Sequence, residues 1–165
     1  MRHIISILLQ NEVGALSRVS NLFSTRGYNI ESLNVAPTSD PMVSRLTLVT
    51  SGSDEVIDQI SKQLAKVVDV VDITDMTSAD HIERELALFK FHLATGNADE
   101  LEQVIDGFKA RVLDDHEGHF TIELIGGSND IDRFLARVSS IAELSTVVRS
   151  GAMAVARGAP VFGRG

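Results

Sequence analysis

The sequence predicts an α+β fold made of two consecutive βαββαβ units. Three observations carry this. Period-two apolar runs and amphipathic stretches of helical period follow each other as strand, helix, strand, strand, helix, strand within about the first 75 residues. After a break at residues 76–82 (Met-Thr-Ser-Ala-Asp-His-Ile) the same order repeats with weak sequence similarity. A length of 165 residues fits one ordinary domain or two very small ones.

Residues 2–10 read as a buried strand, because Ile4, Ile5, Ile7, Leu8 and Leu9 crowd it. A helix over about 14–26 follows, with Leu16, Val19, Leu22 and Phe23 on one face. Arg26 is expected in its last turn, and Gly27 stands where a left-handed cap belongs. The second strand runs from Tyr28 to Ala36. Its apolar parity slips by one, which predicts a β-bulge near Glu31-Ser32. Pro37–Pro41 is a turn, and Val43–Thr50 is a strand with Leu46 and Leu48 on one face and Arg45, Thr47 and Val49 on the other. The second helix has Asp54 and Glu55 in its first turn and Lys62 and Lys66 near its end, the charge order that the helix dipole favours. Val56, Ile57, Ile60 and Leu64 form its buried stripe, and Val67–Thr74 closes the first unit as a strand. This is the ferredoxin-like split arrangement, with both helices on one face of a four-stranded antiparallel sheet.

The second unit begins with a strand over about Glu85–Thr95, in which Ala87, Phe89, Phe91 and Leu93 alternate with Leu86, Leu88, Lys90 and His92. A helix starts near Asn97, with Glu100 placed for a capping-box contact and Leu101, Val104, Ile105 and Phe108 as its stripe. Strands near 110–115 and 119–125 flank a turn at Glu117-Gly118. Gly126-Gly127-Ser128 opens a fourth helix with Ile131, Phe134, Leu135 and Val138 inside, and Leu144–Arg149 is the last strand. The tail from Gly151 carries Arg157 and Arg164 and is expected to be flexible at its end. The division is therefore 1–76 for the first unit, 77–84 for a linker, 85–150 for the second unit and 151–165 for the tail. Val35, Val49 and the valines of the fourth strand give apolar groups to more than one sheet face. Such faces and open edges are usually covered, which predicts a homodimer, with sheets joined edge to edge as one arrangement.

Composition excludes several classes. A chain without Cys has no disulfide, thiolate nucleophile or cysteine metal site. Residues 1–12 lack a signal-peptide pattern, no run reaches the ~18–20 apolar residues of a membrane span, and a cytoplasmic location is expected. The formal net charge of −8, the absence of Trp and a single Tyr argue against a nucleic-acid partner. RNA-binding modules share this element order but need aromatics on central strands, and Val43–Thr50 has none. His116 and His119, beside Asp114 and Asp115, form either a weak metal site or a solvated acidic hairpin turn. Gly126-Gly127-Ser128 either contacts a phosphate or simply starts a helix, since the lysine of a phosphate-binding loop is missing. Arg45 and Arg149 lie in strands, where each can pair with a carboxylate. No catalytic constellation emerges.

One stretch carries ligand chemistry. At Leu8-Leu9-Gln10-Asn11-Glu12-Val13-Gly14-Ala15-Leu16 a strand stops and a helix begins, setting unpaired backbone N–H groups beside Asn11. Gly14 has no Cβ, so a small ligand can approach the backbone closely. A carboxylate ligand with a polar clamp and an apolar pocket suits this turn. So does a plain turn in which Gly14 serves only its dihedral angles.

The run Leu8–Val19, continued by Phe23-Ser24 and Arg26-Gly27-Tyr28-Asn29-Ile30-Glu31-Ser32-Leu33, resembles the regulatory small subunits of acetohydroxyacid synthase, also called acetolactate synthase. Val35–Thr38, Ser44-Arg45, Gln63-Leu64, Val68-Asp69-Val70, Arg149-Ser150-Gly151 and Arg157-Gly158 extend the resemblance over nearly the whole chain, most specifically over residues 4–50. It implies that residues 1–76 form an ACT domain, an amino-acid-binding module that pairs side by side in a homodimer. It implies an effector site for L-valine made of Asn11, Val13, Gly14, Ala15 and Leu16 from one chain and Asn29 and Ile30 from the partner. It further implies a non-catalytic chain in branched-chain amino acid biosynthesis, holding no cofactor or metal of its own. Its catalytic large subunit would carry thiamine diphosphate, Mg²⁺ and FAD and condense pyruvate with pyruvate or 2-oxobutyrate. The small subunit would activate that enzyme and confer feedback inhibition. The alternative is a stand-alone ACT-type regulator of another enzyme, although such chains do not usually carry this C-terminal half.

Overall fold

The computed structural model describes residues 1–93 and 97–162. Its elements are β1 (Arg2–Gln10), α1 (Ala15–Thr25), β2 (Ser32–Pro37), β3 (Val43–Ser51), α2 (Asp54–Leu64), β4 (Val70–Asp75), β5 (His81–His92), α3 (Ala98–Phe108), β6 (Arg111–His116), β7 (His119–Gly126), α4 (Ser128–Ser139), β8 (Glu143–Arg149) and β9 (Met153–Ala156). Both βαββαβ units expected from the sequence are present.

In the first unit the sheet order is β2-β3-β1-β4, antiparallel throughout. Side chains alternate across a strand, so Ile5, Ile7 and Leu9 of β1 and Leu46 and Leu48 of β3 share one face. Ala15, Val19 and Phe23 of α1 and Ile57, Ile60 and Leu64 of α2 cover that face. Each large side chain buried there contributes about 1.5–3 kcal/mol through its lost water contact. The opposite face is not left open. Ile4 and Val49 pack with Met76, Ala152 and Ala154, and the Arg45 guanidinium lies 5.1 Å from the ring centroid of the buried Phe162.

In the second unit the order is β6-β7-β5-β8. Ala87, Phe89, Phe91, Ile122 and Leu124 meet Leu101, Val104 and Ile105 of α3 and Ile131, Phe134 and Val138 of α4. The rings of Phe89 and Phe134 lie 5.2 Å apart, and Phe108 meets Phe134 edge-on.

Several expectations need correction. From Ser32 to Pro37 the register of β2 with β3 runs unbroken, and at the expected bulge Glu31 N–H donates to Val49 O at 2.8 Å while Ser32 also lies opposite Val49, so two residues face one there. The strand is shorter than expected: Tyr28–Ile30 are not strand, Tyr28 and Ile30 pack on the first core, and the chain first bonds to β3 at Glu31. Register shifts that the sequence did not suggest occur at Leu8/Leu9, Lys90/Phe91 and Val112/Asp114. Lys66 falls beyond α2, and Arg26 is the C-cap of α1 rather than part of its last turn. The capping box at Asn97 does not form, because the Asn97 side-chain amide donates to Ile141 O at 3.2 Å. β5 begins at His81, inside the expected linker, and its expected reach to Thr95 lies outside the described residues.

Contact density divides the chain into Met1–Ile82 with the segment from Ala152 onward, and Glu83–Gly151. The tail is thus not a separate flexible piece up to Phe162. Its small alanines and Phe162 complete the first unit. The expectation for Arg164 and its neighbours lies outside the described residues.

Candidate functional site

The turn between β1 and α1 is built by its backbone. Gln10 N–H donates to Asp69 O and Asn11 N–H to Met42 O, both at 2.8 Å. Glu12 N–H folds back onto Gln10 O at 2.9 Å, which ends the strand. Gly14 then takes φ +86°, a left-handed conformation that an L side chain adopts only with strain. It occupies the N-cap position, so no side chain caps α1, and no acidic residue lies in the first turn. Ala15 N–H reaches Glu12 O at 3.2 Å, and Arg18 N–H starts the helical ladder on Gly14 O at 3.0 Å. Leu16 and Ser17 N–H have no backbone acceptor among the described residues. A helix start without a side-chain cap leaves N–H groups and positive dipole charge that suit an anion, with Glu12 just before the turn acting on Arg18.

The Asn11 side chain is fixed at one end. Its Nδ2 donates to Pro41 O at 2.9 Å, leaving Oδ1 as the acceptor that an ammonium group could use. Val13 is fully exposed at the tip of the turn and Leu16 is exposed beside it. Ala15 differs, being 1% exposed in the first core, so it can face a ligand only through its backbone.

Asn29 and Ile30 are not beside this turn within one chain. The Asn29 carbonyl accepts from Thr50 Oγ1 at 2.6 Å, at one end of β3, whereas Asn11 meets Met42 at the other end. Eight residues of strand rise separate the two, about 27 Å. Asn29 is exposed and Ile30 half-buried. The expected site residues therefore form two groups, Asn11–Leu16 and Asn29-Ile30, which a single copy holds apart.

Two residues at the turn were not singled out from the sequence. Arg18, one helical turn above Gly14, donates from Nε to Asp69 Oδ2 and from Nη2 to Asp69 Oδ1, the second at 2.9 Å. Asp69 is buried. The hydrogen bonds from Arg18 hold its carboxyl below the ordinary carboxylate range, and the same bonds push the Arg18 guanidinium up. One signal was available. A lone carboxylate in Val67-Val68-Asp69-Val70-Val71 needs a cation if the run is buried.

Other candidates fall differently. His116 and His119 are cross-strand neighbours on the β6–β7 hairpin, and the rings of His92 and His119 lie 4.7 Å apart. Among the described residues no group of three or more His, Cys, Asp or Glu is placed to hold a metal ion. Ser128 donates to Glu83 Oε1 at 2.5 Å and lies 3.4 Å from Glu85 Oε2, so the start of α4 faces carboxylates, which repel a phosphate. A cavity of about 910 Å³ opens between α2 and β4, lined by His3, Asp54, Asp72 and Asp75 among others and by none of Asn11–Leu16. His3 Nε2 in it lies behind Asp54, 3.5 Å away. Among the described residues no helix is long and apolar enough to cross a membrane.

Comparison with known proteins adds independent findings. Residues 5–72 match the family described as the AHAS small subunit-like ACT domain, and residues 84–158 match that described as the small subunit of acetolactate synthase. The chain is 45% identical over 158 residues to the acetolactate synthase isozyme 3 small subunit of Escherichia coli K12, covering 96% of this chain and 97% of that one. It is 37% identical over 160 residues to a probable acetolactate synthase small subunit of Archaeoglobus fulgidus, covering 96% and 98%. In structure it is similar to the acetolactate synthase small subunit of Thermotoga maritima, with a TM-score of 0.85, 30% identity and coverage of 96% and 99%.

Proposed function

The chain belongs to the acetolactate synthase small-subunit family, and from that premise we propose that it is a non-catalytic regulatory subunit. It would activate the catalytic subunit of an acetolactate synthase in the cytoplasm and make it sensitive to L-valine, one end product of branched-chain biosynthesis beside isoleucine and leucine. Thiamine diphosphate, Mg²⁺ and FAD belong, in this reading, to the catalytic partner.

The observation that carries the proposal is the uncapped start of α1 at Gly14, beside an Asn11 whose Oδ1 is left open. Backbone N–H groups there suit the α-carboxylate of an amino acid, and Asn11 Oδ1 suits its ammonium. The separation of Asn29 from Asn11 favours a site shared between two copies. β2 is an edge strand with Val35, Ala36 and Pro37 exposed. Antiparallel pairing of β2 with its own copy about a two-fold axis would bring the Asn29 end of one strand to the Pro37 end of the other. Met42, hydrogen-bonded to Asn11, lies just beyond Pro37. Leu16 and the partner's Ile30 would then line an apolar pocket for a branched side chain. Valine binding across this junction would favour one dimer arrangement, and the catalytic subunit would respond to that arrangement by linkage.

The test is acetolactate formation by the catalytic subunit from the same source, titrated with this chain with and without valine. Saturable activation that valine reverses is the expected result. Activation without any valine effect would keep the partner and reject the effector. No effect at any ratio would reject the regulatory-subunit assignment and leave a stand-alone amino-acid-binding regulator.

A further inference from the structure

We propose that Arg18 reads the ligand α-carboxylate directly and that Asp69 is the positioning residue that holds it there. The inference rests on the amino-acid reading of the β1–α1 turn and adds the group that selects acids over their neutral analogues.

The geometry assigns different jobs to the edges of one guanidinium. Nε and Nη2 are spent on the two oxygens of Asp69, side-on. Nη1 has no acceptor among the described residues. It lies against Gly14, only 3.0 Å from where a Cβ on that residue would sit. The cation thus borders the turn whose Leu16 and Ser17 N–H groups lack acceptors. Arg18 is about half exposed, so Nη1 is accessible, while Asp69 is 3% exposed and fixed by its backbone bond to Gln10. A purely structural pair needs only the Asp69-facing edge. The outward donors are extra, held in one place before any ligand arrives, so little side-chain entropy is lost on binding. Lysine would lack the planar fork that pairs side-on with both oxygens of Asp69 while holding a third nitrogen in a fixed place against the turn. Gly14 gains a second role here. Besides its dihedral angle, it leaves space for the guanidinium to pass over the start of the helix.

The experiment titrates the full chain by calorimetry with L-valine and with L-valinamide, which keeps the ammonium and side chain but replaces the carboxylate by a neutral amide. Wild type, Arg18→Gln and the double variant Arg18→Gln/Asp69→Asn are compared. The double variant leaves no unpaired carboxylate in the interior, so it reports on binding even if the single variant folds poorly. Wild type is expected to prefer valine. Both variants are expected to lose valine affinity by at least about tenfold, the scale of a charge-assisted hydrogen bond, and to hold valinamide within about threefold. Variants that bind valine as wild type does overturn the role of Arg18. So does an equal loss for both ligands, which marks a merely structural residue. Wild type that binds neither ligand overturns the amino-acid reading itself, a distinct failure.

Discussion

Two arginines with buried carboxylate partners show how the two units use the same pair differently. In the second unit Arg149 donates from Nε and Nη2 to Glu85, at 2.9 and 2.7 Å, and from Nη1 to Asp132 of α4, at 2.7 Å. Every nitrogen is engaged by the fold, and the Glu85 bonds, with those to Asp132, push the guanidinium above its ordinary value. In the first unit Arg18 makes the same side-on pair with Asp69 but keeps Nη1 open against the uncapped start of α1. The chemistry of the pair does not separate them. What separates them is whether a donor is left over and what it faces. Arg149 fastens β5, β8 and α4 together, whereas Arg18 borders a turn suited to an anion.

Gly14 separates the two arginines most sharply. Gly14→Asp would put a carboxylate against Arg18 Nη1, occupying the ligand's place from within the chain and straining a left-handed residue. Valine inhibition of the reconstituted enzyme is expected to vanish, and inhibition at normal valine concentrations would reject the site. At Arg149 the effect should fall on stability. Arg149→Met leaves Glu85, 3% exposed, without its cation, and removing one member of a buried pair costs about 3–5 kcal/mol. Urea unfolding of the second unit should shift accordingly while valine titration stays at the wild-type value. A loss of valine binding instead would erase the distinction between the two arginines.

A pH dependence sharpens it further. The folded-state pKa of Asp69 is lowered by the Arg18 hydrogen bonds. A lowered carboxyl contributes stability that is fully present above the unfolded value, about 3.9, and is lost as pH falls through the folded value. The stability gap between wild type and Asp69→Asn should therefore be flat above about pH 5 and shrink below about pH 4 in acid denaturation. A gap that widens toward low pH would contradict the pairing. The smallest effect belongs to Val13→Ala, because a fully exposed side chain has little to lose. Its stability change should stay within about 0.5 kcal/mol by thermal unfolding.

Much of this architecture is legible in the residue pattern itself. Periodicity locates all eight strands and four helices of the two units, because buried stripes such as Leu101, Val104, Ile105 and Phe108 write their spacing into the chain. The turn at Gln10–Gly14 is legible because a strand end, an Asn and a Gly each have a local cause. The start of the second strand misleads, since Tyr28 and Ile30 are apolar for the core rather than for the sheet and β2 begins only at Ser32. The return of the tail as β9 also escapes the pattern, because its alanines serve a surface, Ile4 and Val49, far away in sequence. Arg18–Asp69 escapes for the same reason, joining residues 51 apart. Non-local partners are what local pattern cannot supply.

The effector site proposed above takes Asn11 from one chain and Asn29 from its partner. The most direct measurement mixes two separately inactive chains, Asn11→Ala and Asn29→Ala, unfolds and refolds them together, and counts valine sites by calorimetry. With random pairing half the dimers are mixed, and each mixed dimer holds one site with both asparagines intact. A site shared in this way recovers roughly one quarter of the wild-type sites. No recovery from the refolded mixture, with refolded wild type binding normally, would mean that both asparagines act within a single chain and would contradict it.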